Sequence, residues 1–444
     1  MRKQIVDIVI RYEHKVRELE SIMLIKIEME RRGYSVAFTA NYDYKNKKRY
    51  EPKLIVSPAI YNDGQLLTDI NQYGLKKKIA NLLWEQVMGI AEEESPNGAH
   101  NVVGTGQKVV TFCWGENTQR RLVAAGMPKN NAKIVGLINT DLLRGGFRKL
   151  LANKKQLAGR YGINFESRWN LFISSFAYCE LDEIQKTLIK KVYGDKYFKE
   201  FTTLSVKSRN VLFSWFEAVL KKYPKDEFIY RPHPDEMAKS EELKRLSEKY
   251  PNFHIIAELS LKHWCNAADK VYNWYSTGMI DAVVLNKPCR ILRPFYISKE
   301  YDYRLFYDRN QIKSLQEFLD DYESLDKTNG LDCQIFTDYY YMPKRYAYVE
   351  ICDVLEEMLI TDKYDIHYTS EEKRMYRYEY LKAESHRRLS CSKPILRKLG
   401  LFKDKFAESD IAEKVKVEGF AKNVATEGEI QQLYNKLAPI VYGQ

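Results

Sequence analysis

No CxxC pair, no HExxH, no compact DxD and no cluster of Cys with His occurs in the 444 residues, so the sequence offers no metal-ligand set. A Walker lysine loop is also missing. Gly104-Thr105-Gly106 precedes a strand pattern instead of following one, which removes a dinucleotide fingerprint. No window approaches 18 uninterrupted apolar residues, so no hydrophobic helix is expected to span a membrane. The apolar stretch near the start, Ile5–Ile10, is too short and too interrupted for an export signal. The 7 cysteines are dispersed and show no paired spacing, as in a chain whose thiols stay reduced. These absences point to the cytoplasm. The lack of any repeat of 20–50 residues excludes a solenoid.

What the chain does have is apolar residues at 45%, enough for a sizeable core, and 33 tyrosines, which pack a ring while keeping a hydroxyl. Its length suits two domains plus extra helix. The formal net charge of +11 favours anionic partners. Much of that excess lies between Lys373 and Lys405, where 11 Lys or Arg face 3 Asp or Glu, a net of 11 − 3 = +8. Tyr, Leu and Phe interleave with these cations, and a basic amphipathic segment of this kind can lie on the anionic inner face of a membrane. No recognised RNA or DNA module is present, so nucleic acid is not an expected partner.

The first half alternates strand and helix patterns. Strands are expected at Ile5–Ile10, Tyr34–Thr39, Leu54–Ser57, Lys78–Leu83, Gln107–Phe112 and Lys133–Gly136, with helices over Val16–Arg32 and Thr118–Gly126. Leu142–Tyr161 reads as a charged helix. The alternation then restarts with strands at Trp169–Ile173, Glu227–Tyr230, Phe253–Ile256, Lys270–Trp274 and Pro288–Leu292. Helices are expected between them at Ser205–Lys222, Glu241–Tyr250, Leu261–Ala268 and Ser276–Leu285. This rhythm predicts an α/β chain of two doubly wound parallel sheets, with ligands in a central cleft at the C-terminal strand edges. The expected divisions are 1–145, a linker over 146–167, 168–310, a helical closing segment over 311–370 and a basic helical tail over 371–444.

Three stretches in the second half follow predicted strands. In Tyr230-Arg231-Pro232-His233-Pro234-Asp235 two prolines stiffen a turn that presents Arg231 and His233, groups suited to a phosphate. In Trp274-Tyr275-Ser276-Thr277-Gly278 a hydroxyl pair opens a helix, where free backbone N–H groups either receive a cap or hold an anion. Ser174-Ser175-Phe176 adds small hydroxyl residues. In the first half Glu85, Asp63 and His14 each follow a strand, and each is a candidate to take a proton from an acceptor hydroxyl.

The chain resembles the bacterial surface carbohydrate (capsule and lipopolysaccharide) biosynthesis glycosyltransferases of the GT-B fold. The likeness rests on Val16-Arg17-Glu18-Leu19-Glu20, Arg32-Gly33-Tyr34, Asn81–Gln86, Trp114-Gly115-Glu116-Asn117 and Lys133–Gly136. It continues in Arg231–Pro234 and Tyr275–Gly278, then Asp281-Ala282 and Asn286-Lys287-Pro288. Arg231–Pro234 and Ser276-Thr277 are also similar to the His-Pro and Ser-Thr motifs of bacterial sialyltransferases, Kdo transferases and CDP-glycerol glycerophosphotransferases. That resemblance implies a CMP- or CDP-linked donor, used without a tightly bound metal or other cofactor. It implies that His233, Ser276 and Thr277 hold the donor phosphate, supported by Arg231, with Ser174, Ser175 and Gly278 close by. The acceptor would be a glycan or a lipid-linked glycan. The acidic-acidic-Gly motif of the sialyltransferases is only approached by Asn62-Asp63-Gly64, so Glu85 and Asp63 both stand as the catalytic base.

Overall fold

The computed structural model describes residues 3–41, 49–95, 98, 100–233, 236, 240–307, 311–324, 326, 328, 333–382, 385 and 423–443. Pro234 and Asp235, and all of the basic segment beyond 382 except Ser385, lie outside them.

In chain order the elements are β1 (Gln4–Tyr12), α1 (Lys15–Arg31), β2 (Val36–Ala40), β3 (Tyr50–Ser57), α2 (Asp63–Tyr73), β4 (Lys78–Asn81), α3 (Ile90–Glu93), β5 (Val110–Cys113), α4 (Glu116–Ala124) and β6 (Ala132–Ile134). There follow α5 (Gly145–Arg148), α6 (Lys154–Tyr161), β7 (Trp169–Ile173), α7 (Glu183–Lys222), β8 (Glu227–Arg231), α8 (Glu241–Lys249), β9 (Phe253–Ile255), α9 (Leu261–Ala267) and β10 (Lys270–Asn273). The rest are α10 (Met279–Val284), β11 (Cys289–Leu292), β12 (Gln311–Ile312), α11 (Leu315–Glu323), α12 (Cys333–Tyr339), α13 (Ala347–Ile360) and a last helix, Glu427–Tyr442. A further helix covers residues 370–382.

These elements form two compact units. The first contains 1–86, 96–141 and 337–444; the second contains 87–95 and 142–336. Each is built on a six-stranded parallel sheet, ordered β2-β1-β3-β4-β5-β6 in the first and β12-β11-β10-β7-β8-β9 in the second. β1 is buried along Ile8–Ile10 and β7 along its whole length, the mark of strands covered on both faces. The second core is aromatic: Phe172, Phe216, Phe228, Tyr230 and Phe318 interlock with ring centroids 4.8–6.4 Å apart.

The division is not a linear one. Residues 146–167, expected as a linker, pack within the second unit: Tyr161 lies 5.1 Å from Trp264, and His263 Nδ1 accepts the Ala152 N–H at 2.8 Å. The continuous helix expected over Leu142–Tyr161 is broken into short pieces by Gly145 and by a capping box at Asn153. The expected closing segment is shared, because from 337 the chain returns to the first unit. There Arg32, the C-cap residue of α1, pairs with Asp353 and Glu356 of α13, both at 2.8 Å.

Three other expectations shift. The strand expected over Gln107–Phe112 starts at Val110, because Gly104–Lys108 winds into a 3-10 turn. The strand expected over Lys78–Leu83 stops at Asn81, and Leu83 takes a left-handed φ of 48°. The helix of the second unit begins at Glu183 instead of Ser205, with a break at Gly194, and Tyr193, Tyr197 and Phe201 stack along it.

Candidate active site

In the second unit Asn273, Ile173 and Arg231 stand in one register row across β10, β7 and β8. Two strand spacings cover that row, roughly 10 Å. All three loops singled out in the sequence leave from it at the C-terminal edge. β7 enters the sheet at its centre. The chain then adds β8 and β9 on one flank and crosses to add β10, β11 and β12 on the other. The crevice at such a crossover point is where open parallel sheets take ligands.

The loops differ in what they have free. Ser174 is buried; its hydroxyl donates to a carboxyl oxygen of Glu236 and lies 2.8 Å from the Tyr230 hydroxyl, which also donates to Glu236. It is committed to this network. Ser175 Oγ, one residue on, is buried and has no hydrogen-bond partner among the described residues. An unpartnered hydroxyl at a sheet edge costs free energy unless something completes it.

Glu236 is the residue that the sequence reading passed over. It is 3% exposed, and besides the two hydroxyls its Oε2 accepts the His233 backbone N–H at 3.0 Å, while its own N–H returns to His233 O at 2.9 Å. The carboxylate reaching back to the N–H three residues earlier is half of a capping box, and the backbone bond closes the turn, so the spacing in Arg231-Pro232-His233-Pro234-Asp235-Glu236 was its available signal. Burial pushes the Glu236 carboxyl above its ordinary value, and the three donors partly offset that shift.

Arg231 does not present a free fork. Its guanidinium donates to the backbone carbonyls of Ile256 (3.0 Å), Glu258 (2.6 Å) and Leu259. These bonds bracket the loop between β9 and α9, in which Leu259 takes a left-handed φ of 62°. Burial lowers the Arg231 pKa to about 10, so it stays cationic at neutral pH.

The turn after β10 is held by its own polar groups. Asn273 Oδ1 accepts the Ser276 N–H, and Ser276 Oγ accepts the Gly278 N–H at 3.2 Å. Ser276 and Thr277 therefore lie in the turn, half-buried. The helix expected from Ser276 starts only at Met279, with no side-chain cap. Behind the turn, buried Arg293 donates to Trp274 O and pairs with Asp302 at 2.8 Å. A Cβ on Gly278 would come 2.7 Å from Leu261 Cδ2, so a larger residue there requires the Leu261 side chain to shift.

In the first unit Glu85 is half-exposed on the loop after β4, near Arg17 (3.3 Å) and His100 (3.7 Å). That loop is strained at Leu83 and held by two buried amides. Asn81 Oδ1 accepts from Leu83 N, and Gln86 Nε2 donates to Leu83 O and Phe112 O. Asp63, in contrast, is a fastener: its Oδ1 accepts Thr105 N at 2.8 Å and the Tyr376 hydroxyl at 2.9 Å. Gly104 carries φ 63°, and a Cβ there would meet Asp63 Oδ2 at 2.7 Å, which gives this glycine its purpose. His14 precedes α1, and its backbone N–H is held by buried Glu18 at 3.2 Å.

No protein-family model matches this chain, and no curated protein sequence does. Solved structures do. A histidine-to-alanine variant of the wall teichoic acid polymerase TagF superposes with a TM-score of 0.52 at 11% identity, over 80% of this chain and 89% of that one. The same polymerase in a histidine-to-asparagine form soaked with CDPG gives 0.52 at 12% identity, over 80% and 88%. A putative UDP-N-acetylglucosamine 2-epimerase from Listeria monocytogenes gives 0.50 at 12% identity, over 81% and 97%. Identities this low speak for architecture alone, and together with the two six-stranded parallel sheets they establish an α/β chain of the GT-B fold, built from two doubly wound Rossmann-like units.

Proposed function

We propose that this protein is a glycosyltransferase that moves a sugar from a nucleotide-activated, CMP-linked donor onto a surface polysaccharide or lipopolysaccharide acceptor. The observation that carries this reading is the shared register row of β10, β7 and β8. From it leave a turn bearing His233, a buried unpartnered hydroxyl at Ser175 and the half-buried pair Ser276-Thr277. As the bond from the sugar carbon to the phosphate oxygen breaks, charge grows on that oxygen. His233, Ser276 and Thr277 are the donors that stabilise it, so the reaction is metal-independent. Glu85 accepts the proton of the attacking acceptor hydroxyl. Glu85 is favoured over Asp63 because the latter's Oδ1 already serves Thr105 and Tyr376.

A second reading is transfer of a polyol phosphate from a CDP-linked donor, which forms a phosphodiester and not a glycosidic bond. It draws support from the two TagF structures, one of them soaked with CDPG. A non-catalytic nucleotide- or glycan-binding partner in capsule assembly would bind without consuming donor, and an epimerase would convert donor with no acceptor present.

A thermal-shift panel of CMP, CDP, UDP, GDP and their sugars tests the donor class, since a ligand that prefers the folded state raises stability. Selective stabilisation by cytidine nucleotides is expected. Failure of every nucleotide to stabilise the protein would reject the reading, and mass analysis of the product separates its two forms.

A further inference from the structure

The helix over residues 370–382 has one face fixed to the first unit. Tyr376 is buried on that face, meets the Tyr368 ring edge-on at 5.6 Å and donates to Asp63 at 2.9 Å. One turn earlier Glu372 accepts from Lys108 Nζ at 2.7 Å and from Thr105 Oγ1 at 3.1 Å. These bonds set the orientation of the helix and so of its opposite face.

That opposite face is apolar where water would favour polar groups. Met375, Tyr378 and Leu381 are 43%, 63% and 60% exposed. With 3.6 residues per turn they fall within an arc of roughly 120°, turned away from Tyr376. Arg374, Arg377 and Lys382 are exposed on the same face, and Lys373 borders it. The Lys382 ammonium lies 5.9 Å from the Tyr378 ring. Glu372 is taken up by Lys108, Glu379 lies 3.8 Å from Lys382, and Glu371 is exposed in the first turn, so Lys373, Arg374 and Arg377 carry the positive excess of the helix.

Single exposed apolar side chains need no explanation, but three spaced i, i+3, i+6 and interleaved with cations form the surface of an interfacial helix. The charge selects the occupant, because basic residues next to apolar ones are drawn to anionic headgroups. We propose that this face docks the protein peripherally on an anionic lipid bilayer. Met375, Tyr378 and Leu381 enter the boundary between headgroups and acyl chains, and Arg374, Arg377, Lys382 and Lys373 bind headgroup phosphates. The inference stands independently of the transfer reaction and adds to it a location, the surface where a lipid-linked acceptor lies.

The test is co-sedimentation of the full chain with phosphatidylcholine vesicles, with and without phosphatidylglycerol. Wild type is expected to favour the phosphatidylglycerol vesicles by at least about tenfold, with binding that weakens as salt rises. Combined Met375→Ser, Tyr378→Ser and Leu381→Ser, and separately combined Arg374→Gln, Arg377→Gln and Lys382→Gln, should each cut that binding by about tenfold or more. Both leave Tyr376 in place, so the thermal midpoint should hold and report an intact fold. Absence of wild-type binding to anionic vesicles overturns the proposal. So does wild-type binding by both variants, or a stronger preference for a single-stranded oligonucleotide.

Discussion

Glu236 and His233 stand three residues apart and exchange two hydrogen bonds, and the carboxyl also collects the hydroxyls of Ser174 and Tyr230. Glu236→Gln replaces one acceptor oxygen with an NH2 group, so one of those donors loses its partner at a cost of about 1–3 kcal/mol. The effect should depend on pH. Burial raises the folded-state pKa above the ordinary 4.5, so the fold favours the protonated acid. That contribution is fully present below pH 4.5 and is lost as pH rises through the folded value. Thermal midpoints of wild type and Glu236→Gln across this range should therefore differ in slope, with wild type losing ground as pH rises; parallel curves would exclude the coupling. His233→Ala should abolish donor consumption with the thermal midpoint unchanged, and normal turnover by that variant would sink the role. The two carboxylates of the first unit separate in the same way. Glu85→Gln should lower kcat by about a hundredfold or more, the scale of a lost general base, and leave stability alone. Asp63→Asn should instead lower stability by about 1–3 kcal/mol, the range for weakening bonds to a charged acceptor. The opposite pattern would make Asp63 the base. The sequence placed both acids just after strands, but only the side-chain partners distinguish an exposed carboxylate beside Arg17 and His100 from a fastener.

At the scale of elements, glycines and buried amides set where the loops stop and turn. Gly278 meets Leu261 of α9 and lies 3.8 Å from Ile173 of β7, counted from the Cβ it lacks. Gly278→Ala should push the half-buried Leu261 side chain aside, cost about 1 kcal/mol and disturb the Ser276-Thr277 turn. Weakened nucleotide-dependent stabilisation in the thermal-shift panel would report that disturbance, and a variant with native midpoint and native nucleotide response would refute it. Strand positions were legible because β7, β8 and β10 each centre on a short buried run of apolar and aromatic residues, and the Trp169–Ile173 strand matches its expectation residue for residue. Helix starts were less legible. At the Ser276-Thr277 turn the serine stands two residues before the N-cap Gly278 and its hydroxyl accepts that residue's N–H, and nothing in the composition of the stretch distinguishes this from a helix cap.

For the molecule as a whole, the chain passes to the second unit over 87–95 and again over 142–336, and Asp141 is the last residue of the first unit before the longer excursion. Fully buried, it accepts the backbone N–H groups of Ala347 (3.0 Å) and Tyr348 (2.8 Å), capping α13, whose own N-cap residue Tyr346 supplies no side-chain bond. Asp141→Ala should lower stability by about 1–2 kcal/mol, the range for a lost helix cap, measured by denaturant unfolding. A change within about 0.5 kcal/mol would show that packing on α1 suffices. Two parallel sheets could be read from the apolar pattern alone, because its period dictates which segments can be buried as strands and in what succession. It also placed the loops of Ser174, His233 and Ser276 after strands. Packing in three dimensions made those strands neighbours with Asn273, Ile173 and Arg231 in register, turned Arg231 to bracket a loop and set Glu236 to hold the His233 turn. It likewise decided that a carboxylate at 141 caps a helix at 347. The reason is one of range: periodicity is a local property of the chain, whereas strand order, side-chain partners and remote caps depend on which distant segments share the same few ångströms.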